Sequence, residues 1–229
     1  MRPPSTCHDG PMPARVTAVS VLHEFLPNPF RPVGTTAIDK RPVSGRVAVD
    51  VYGLAGDTQC DREAHGGIYQ ALYAYADEDA AWWAGALGRE IPPGLFAENL
   101  RTTGVDVSGA EIGERWQIGA GDAATEVEVT SARIPCRTFA ERMGEPQWVR
   151  RFGDRGLPGA YLRVLRAGDV GAGDPVTVVH RPGHGVTVAD TTARKDPDLM
   201  ARLLEAADVQ DLDLNPRLRV AAEKAAARA

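Results

Sequence analysis

The chain has 229 residues, a formal net charge of −5, 43% hydrophobic and 25% charged residues, a composition of folded proteins and not of disordered ones. That length suits one large domain or one domain with a small appendage, and no stretch approaches the roughly 20 apolar residues of a membrane-spanning helix. The acidic balance, with no dense Lys/Arg block, sets nucleic acid aside as a partner, and no membrane partner is expected either.

Residues 1–13 are rich in proline, lack the apolar stretch of a secretory signal and read as a flexible tail. Residues 15–23 (RVTAVSVLH) alternate apolar and polar side chains as a strand does. Residues 46–52, 71–75, 126–133, 161–166 and 175–181 give further β signals, with Gly, Pro and Asp in the gaps between them. One helix is predicted with Asp77 as its N-cap, EDAAWWAGAL as its body and Gly88 as its stop. A shorter helix is predicted over 137–143, and another starts near Pro146. Trp82 and Trp83 are adjacent on the first helix, so they cannot share one core; a homodimer is one arrangement that would cover the outward ring. From residue 185 the composition turns helical. Asp196-Pro197 and Asn215-Pro216 are both helix-start signals, and Thr187 can cap a short helix of its own. The domain reading is therefore a tail (1–13), a β domain (14–184) and a three-helix module (185–229).

Cysteine stands at Cys7, Cys60 and Cys136. An odd, widely spaced set argues against a disulfide framework and for a reducing, cytoplasmic compartment. Lysine occurs only at Lys40, Lys195 and Lys224, and arginine supplies the rest of the 26 basic residues.

Four segments carry candidate chemistry. They are GLAGD at 53–57 with Arg62 and HGG at 65–67, ENL at 98–100, ARIPC at 132–136 followed by Arg137, and GLPGAYLR at 156–163. Each has a plain structural reading. Gly66 and Gly67 can serve a turn, His65 a hydrogen bond, and Glu98-Asn99 a turn closure. Cys136 can be a small buried apolar residue. Against that last reading, Arg133 and Arg137 favour the thiolate, the form that binds metal, and Pro135 stiffens the approach to it.

Taken together and in this order, with KRPV at 40–43, PGLF at 93–96 and ALYAY at 71–75, these residues resemble the MOSC family, in its stand-alone bacterial branch. The resemblance spans roughly residues 15–180, and the tail is similar to a small three-helix module that follows some such domains. It implies a mainly β, barrel-like fold that holds a molybdenum–pterin cofactor, with Cys136 as a protein ligand to the metal. It further implies that Lys40, Arg62, Gly66, Gly67, Asn99, Arg133 and Arg137 are candidates for gripping the pterin phosphate, and that His65 relays protons. Asp57 and Glu98 are expected to fix loop geometry. This sequence departs from the pattern at Ala132, Arg137 and Ala97, and in having Cys60.

Two activities follow from the resemblance. One is a molybdenum reductase of small N-hydroxylated compounds. With no flavin fingerprint and no cysteine cluster for iron–sulfur ligation, it needs electrons from a separate reductase. The alternative is a sulfur carrier or cofactor-handling module with a persulfide on Cys136.

Overall fold

The computed structural model describes residues 13–60, 66–192 and 195–228. The strands are β1 (Arg15–Pro27), β2 (Thr35–Pro42), β3 (Val47–Asp50), β4 (Gly53–Leu54), β5 (Leu72–Ala76), β6 (Leu100–Thr103), β7 (Arg115–Ile118), β8 (Thr125–Ala132), β9 (Ala160–Arg166), β10 (Gly168–Val170) and β11 (Val176–His180). The helices are α1 (Asp77–Leu87), α2 (Arg137–Met143), α3 (Trp148–Arg155), α4 (Pro197–Gln210) and α5 (Pro216–Ala226).

The main sheet has eight strands in the order β11-β7-β8-β9-β5-β6-β1-β2, antiparallel throughout except for the parallel β5–β6 pair. A small sheet, β10-β3-β4, flanks it. The mainly β expectation holds, but the barrel does not close. β2 occupies the outer edge of β1 along residues 20–27, so β11 reaches β1 at a single bridge, Arg15–Pro175, among the described residues. The Val16 N–H donates to the Asp174 carbonyl (2.9 Å) beside that bridge. Irregular registers along β1, between Leu22 and Glu24 and between Glu24 and Leu26, let this long strand bend as bulges do.

β5 is buried on both faces and divides two cores. Leu72, Ala74 and Ala76 join an aliphatic core with Leu100, Trp116, Val129 and Leu162. Tyr73 and Tyr75, two residues apart and so on the opposite face, join an aromatic core with Trp83, Phe96, Phe139, Trp148 and Phe152. Helices α1, α2 and α3 close over this second core. On α1, Asp77 lies in the first turn and Ala76 takes the N-cap position, while Gly88 ends the helix at φ 64°. Trp83 is buried, whereas Trp82 is 44% exposed with the Arg155 guanidinium 4.2 Å over its ring.

In the C-terminal stretch, Thr187 and Asp190 bond each other around a short 3-10 turn at Ala189–Thr191. Asp196 then caps α4 by accepting from the N–H groups of Asp198 (2.9 Å) and Leu199 (3.1 Å), and Asn215 caps α5 through the Arg217 N–H (3.0 Å). Proline fills the first position of both helices, where its missing N–H costs nothing. Met200, Leu203, Leu218 and Ala222 enter the same aliphatic core as the sheet strands.

Candidate functional site

The strands β2, β5 and β9 and the segment from β8 into α2 converge on one pocket. Lys40, Tyr73, Asn99, Arg133, Cys136 and Tyr161 all line it. The pocket opens to solvent at its mouth, and the space within it that a water-sized sphere can reach is about 150 Å³.

Cys136 is a free, half-buried thiol at the residue that precedes the first turn of α2. Four residues past the end of β8 and directly after Pro135, it is extended, at φ −126° and ψ 175°, and α2 begins at the next residue, Arg137. Arg133, three residues earlier, is 7% exposed. It donates to the Phe96 carbonyl and lies 3.9 Å over the Phe139 ring and 5.0 Å over that of Tyr73. Among the described residues no carboxylate forms an ion pair with it. Burial opposes its charge, but Tyr73, Tyr161 and Cys136 outweigh that and hold its pKa above the usual arginine value. Burial likewise pushes the phenols of Tyr73 and Tyr161 upward, against the pull of Arg133, so both keep their protons at neutral pH. A buried cation without a counter-charge is costly unless a ligand supplies one.

Lys40 differs, because Asp57 pairs with it directly. Burial draws its pKa below the ordinary lysine value and Asp57 works against that. Asp57 also accepts from the Asn99 amide (2.7 Å) and the Leu22 N–H (3.0 Å). Asn99 is spent in the same network: its amide oxygen accepts from the Tyr73 N–H (3.1 Å), and its nitrogen also donates to the Ser20 carbonyl (3.3 Å). The PGLF turn positions Lys40. Gly94 adopts φ +83°, and a Cβ there would stand 2.4 Å from the Lys40 carbonyl oxygen. The Gly94 N–H is fixed by Glu98 (2.8 Å), which also binds Arg101.

The structure therefore brings together Cys136, Arg133, Lys40 and Asn99. It turns Arg137 elsewhere: that guanidinium sits 3.6 Å over Phe30 and pairs with Glu141 at 3.7 Å. The Gly67 N–H donates to Gln59 (2.8 Å), and Gly67 has φ +84°, which suits the turn it precedes. Arg62 and His65 lie outside the described residues. Sequence reading missed Tyr73, Tyr161, Gln70 and Thr138 as pocket residues. For Tyr73 a signal existed, since period-two alternation in ALYAY puts both tyrosines on one face.

The MOSC domain model matches residues 61–177. The chain belongs to the MOSC domain family. Such domains are associated with the molybdenum cofactor, and membership ties this MOSC chain to molybdenum-cofactor chemistry. It is 31% identical to protein YiiM of Escherichia coli over 186 residues, which is 75% of this chain and 78% of that protein. It is 29% identical over 155 residues to a protein of Gibberella moniliformis named reductase, covering 65% of this chain but 26% of that much longer one. The fold matches that of YiiM from Geobacillus stearothermophilus with a TM-score of 0.71 at 23% identity, covering 93% of this chain and 99% of the other. For the crystal structure of YiiM from Escherichia coli the TM-score is 0.66, covering 93% and 90%. Among the described residues, no helix is long and apolar enough to cross a membrane.

Proposed function

We propose that this MOSC protein is a molybdenum-cofactor-dependent reductase of small N-hydroxylated compounds, with Cys136 as the protein ligand to the metal. The observation that carries the reading is Arg133, a buried cation with no carboxylate partner among the described residues, opening on the same pocket as the Cys136 thiol. The donor set fits the group. A soft thiolate suits a metal already bonded to sulfur, and a dry guanidinium suits a phosphate. The similarity to a protein named reductase supports the redox direction.

When bound, the cofactor supplies two-electron chemistry at the metal. The chain's own residues do the rest. Cys136 anchors the metal, in a reducing compartment that keeps the thiol free. Arg133 holds negative charge, while Lys40, neutralised by Asp57, shapes the pocket wall beside it. Asn99 positions Asp57 and Tyr73 from the pocket wall. Tyr161 holds a proton at its phenol oxygen beside Cys136. In the net reaction the N-hydroxylated substrate takes up two electrons and two protons and leaves as the parent base and water. The electrons come from a separate reductase, because three scattered cysteines cannot ligate an iron–sulfur cluster of their own.

The test is Cys136→Ser. Hydroxyl is a poor replacement for thiolate toward this metal, so the folded variant is expected to lose its molybdenum and its reduction of amidoximes by reduced viologen dye. Undiminished molybdenum in the folded variant refutes the ligand assignment. Wild-type protein that lacks molybdenum but carries cyanide-releasable sulfur on Cys136 replaces the reductase with the sulfur carrier.

A further inference from the structure

Cys136 stands in a wall that two cavities share. Gln70, Ile134, Cys136 and Tyr161 line both the first pocket and a second cavity, whose other walls include Ser131 and Leu218. Gln70 ends the short 3-10 turn Ile68–Gln70, and its backbone is held on both sides. Its N–H donates to the Gly67 carbonyl (3.0 Å), and its carbonyl accepts from the Gln59 side chain (2.8 Å). The Tyr69 carbonyl beside it accepts from the Thr130 hydroxyl on β8. Tyr161 is fixed inside the sheet, opposite Ser131 on β8 and Tyr73 on β5.

Both side chains bring a polar group to this wall. Gln70 Oε1 is buried and has no hydrogen-bond partner among the described residues. An acceptor left unpaired away from water is destabilising, and an incoming N–H or O–H relieves it. Tyr73 donates its phenol proton to the Pro158 carbonyl (2.7 Å). The Tyr161 ring lies 5.2 Å from that of Tyr73, and its phenol keeps its proton because burial opposes the phenolate. The wall therefore offers one acceptor and one donor around one thiol. The sulfur ligands of a metal and a phosphate are acceptors as well, so the donor that Gln70 lacks falls to the substrate.

We infer that Gln70 and Tyr161 read the substrate at two points. Gln70 accepts from an amino N–H on the carbon that carries the N–O nitrogen, and Tyr161 donates to the N–O oxygen. The pair selects N-hydroxylated amidines and guanidines over oximes that hold a carbon substituent in place of the amino group. A site built around a buried acceptor rejects the analogue without the donor more strongly than an apolar pocket rejects a misfit. The selection rests on the proposed reading of Cys136 as the metal-bearing centre, because that reading puts the N–O group at the thiol.

The experiment compares calorimetric binding of benzamidoxime and acetophenone oxime to the full chain, with molybdenum content determined for each preparation. The two ligands differ by an amino group against a methyl group of similar size. Wild type is expected to favour benzamidoxime by about tenfold or more, since the methyl group leaves the acceptor unpaired. Gln70→Leu should bring that ratio to about one, and Gln70→Glu, which keeps an acceptor, should preserve it. Tyr161→Phe should weaken both ligands alike. Equal affinity in the wild type, a ratio that survives Gln70→Leu or is lost in Gln70→Glu, or binding indifferent to Tyr161→Phe overturns the inference. So does loss of molybdenum from Gln70→Leu, which would give that oxygen to the cofactor. Wild type that discriminates between the ligands but holds no molybdenum and reduces neither would uphold the two-point reading and refute the metal assignment instead.

Discussion

Asp57 gathers three parts of the pocket around one side chain: Lys40 on β2, Asn99 before β6 and the Leu22 N–H on β1. Lys40 and Asp57 expose 10% and 7% of their side chains, so the two charges lie largely away from water, each the other's direct partner. Removing one partner of such a pair costs more than the pair itself contributes, because a lone charge stays buried. Asp57→Asn should therefore lower unfolding free energy by about 3 kcal/mol, read from the midpoint of urea denaturation. Adding Lys40→Met should recover a large part of that loss. A single variant as stable as the wild type would mean that water reaches Lys40 and the pair is not effectively buried. The same coupling explains why GLAGD and KRPV both mark the site although 17 residues separate Lys40 from Asp57. Each motif is weak alone, and their chemistry is a single contact.

At the scale of elements, the turn at Gly94 sets where β2 lies. An added Cβ would need the Lys40 carbonyl to move, and φ +83° is unfavourable for any side chain. Gly94→Ala is expected to destabilise the protein by about 2 kcal/mol or more, seen as a lower thermal midpoint with weakened cofactor retention. An unshifted midpoint would show that β2 gives way freely. The strands with clear alternation or apolar runs, β1, β5, β8, β9 and β11, were legible in the sequence, and so were the starts of α4 and α5. β2, β6 and β7 were not. Thr35–Pro42 is mostly polar, and Leu100–Thr103 has one apolar residue, yet all four of its side chains are buried. The burial of β6 comes with its place between β5 and β1 in the sheet, and β2 is a mostly polar edge strand; local patterning registers neither. The site divides along the same line. Cys136 and Arg133 are close in sequence and could be read as a unit. Arg137 could not be placed without the helix, whose first residue turns its side chain onto Phe30.

For the molecule as a whole, α4 and α5 are not an independent appendage energetically. Met200, Leu203, Leu218 and Ala222 share one core with Trp116, Val129 and Leu162. The segment leading into them is stitched to the body: His184 Nε2 meets the Ile112 carbonyl (2.8 Å), and the Val188 and Ala189 N–H groups donate to Ala110 (2.8 Å) and Ser108 (2.9 Å). Ending the chain after His184 should uncover this apolar surface and give aggregation or a changed oligomeric state, measurable by size-exclusion chromatography with light scattering. A truncated protein that elutes at its expected size would refute the shared core. The unclosed sheet has one more effect. β2 supplies Thr35, Thr36, Ala37, Ile38 and Lys40 to the first pocket, yet among the described residues its strand partner is β1 alone, across a ladder with two breaks in register. Arg142 on α2 latches its far side through Asp39 at 2.8 Å. A wall hung from one strand and tied on its other side by the Lys40–Asp57 and Arg142–Asp39 pairs can be displaced only by breaking those two contacts, and doing so leaves the other seven strands of the ladder paired.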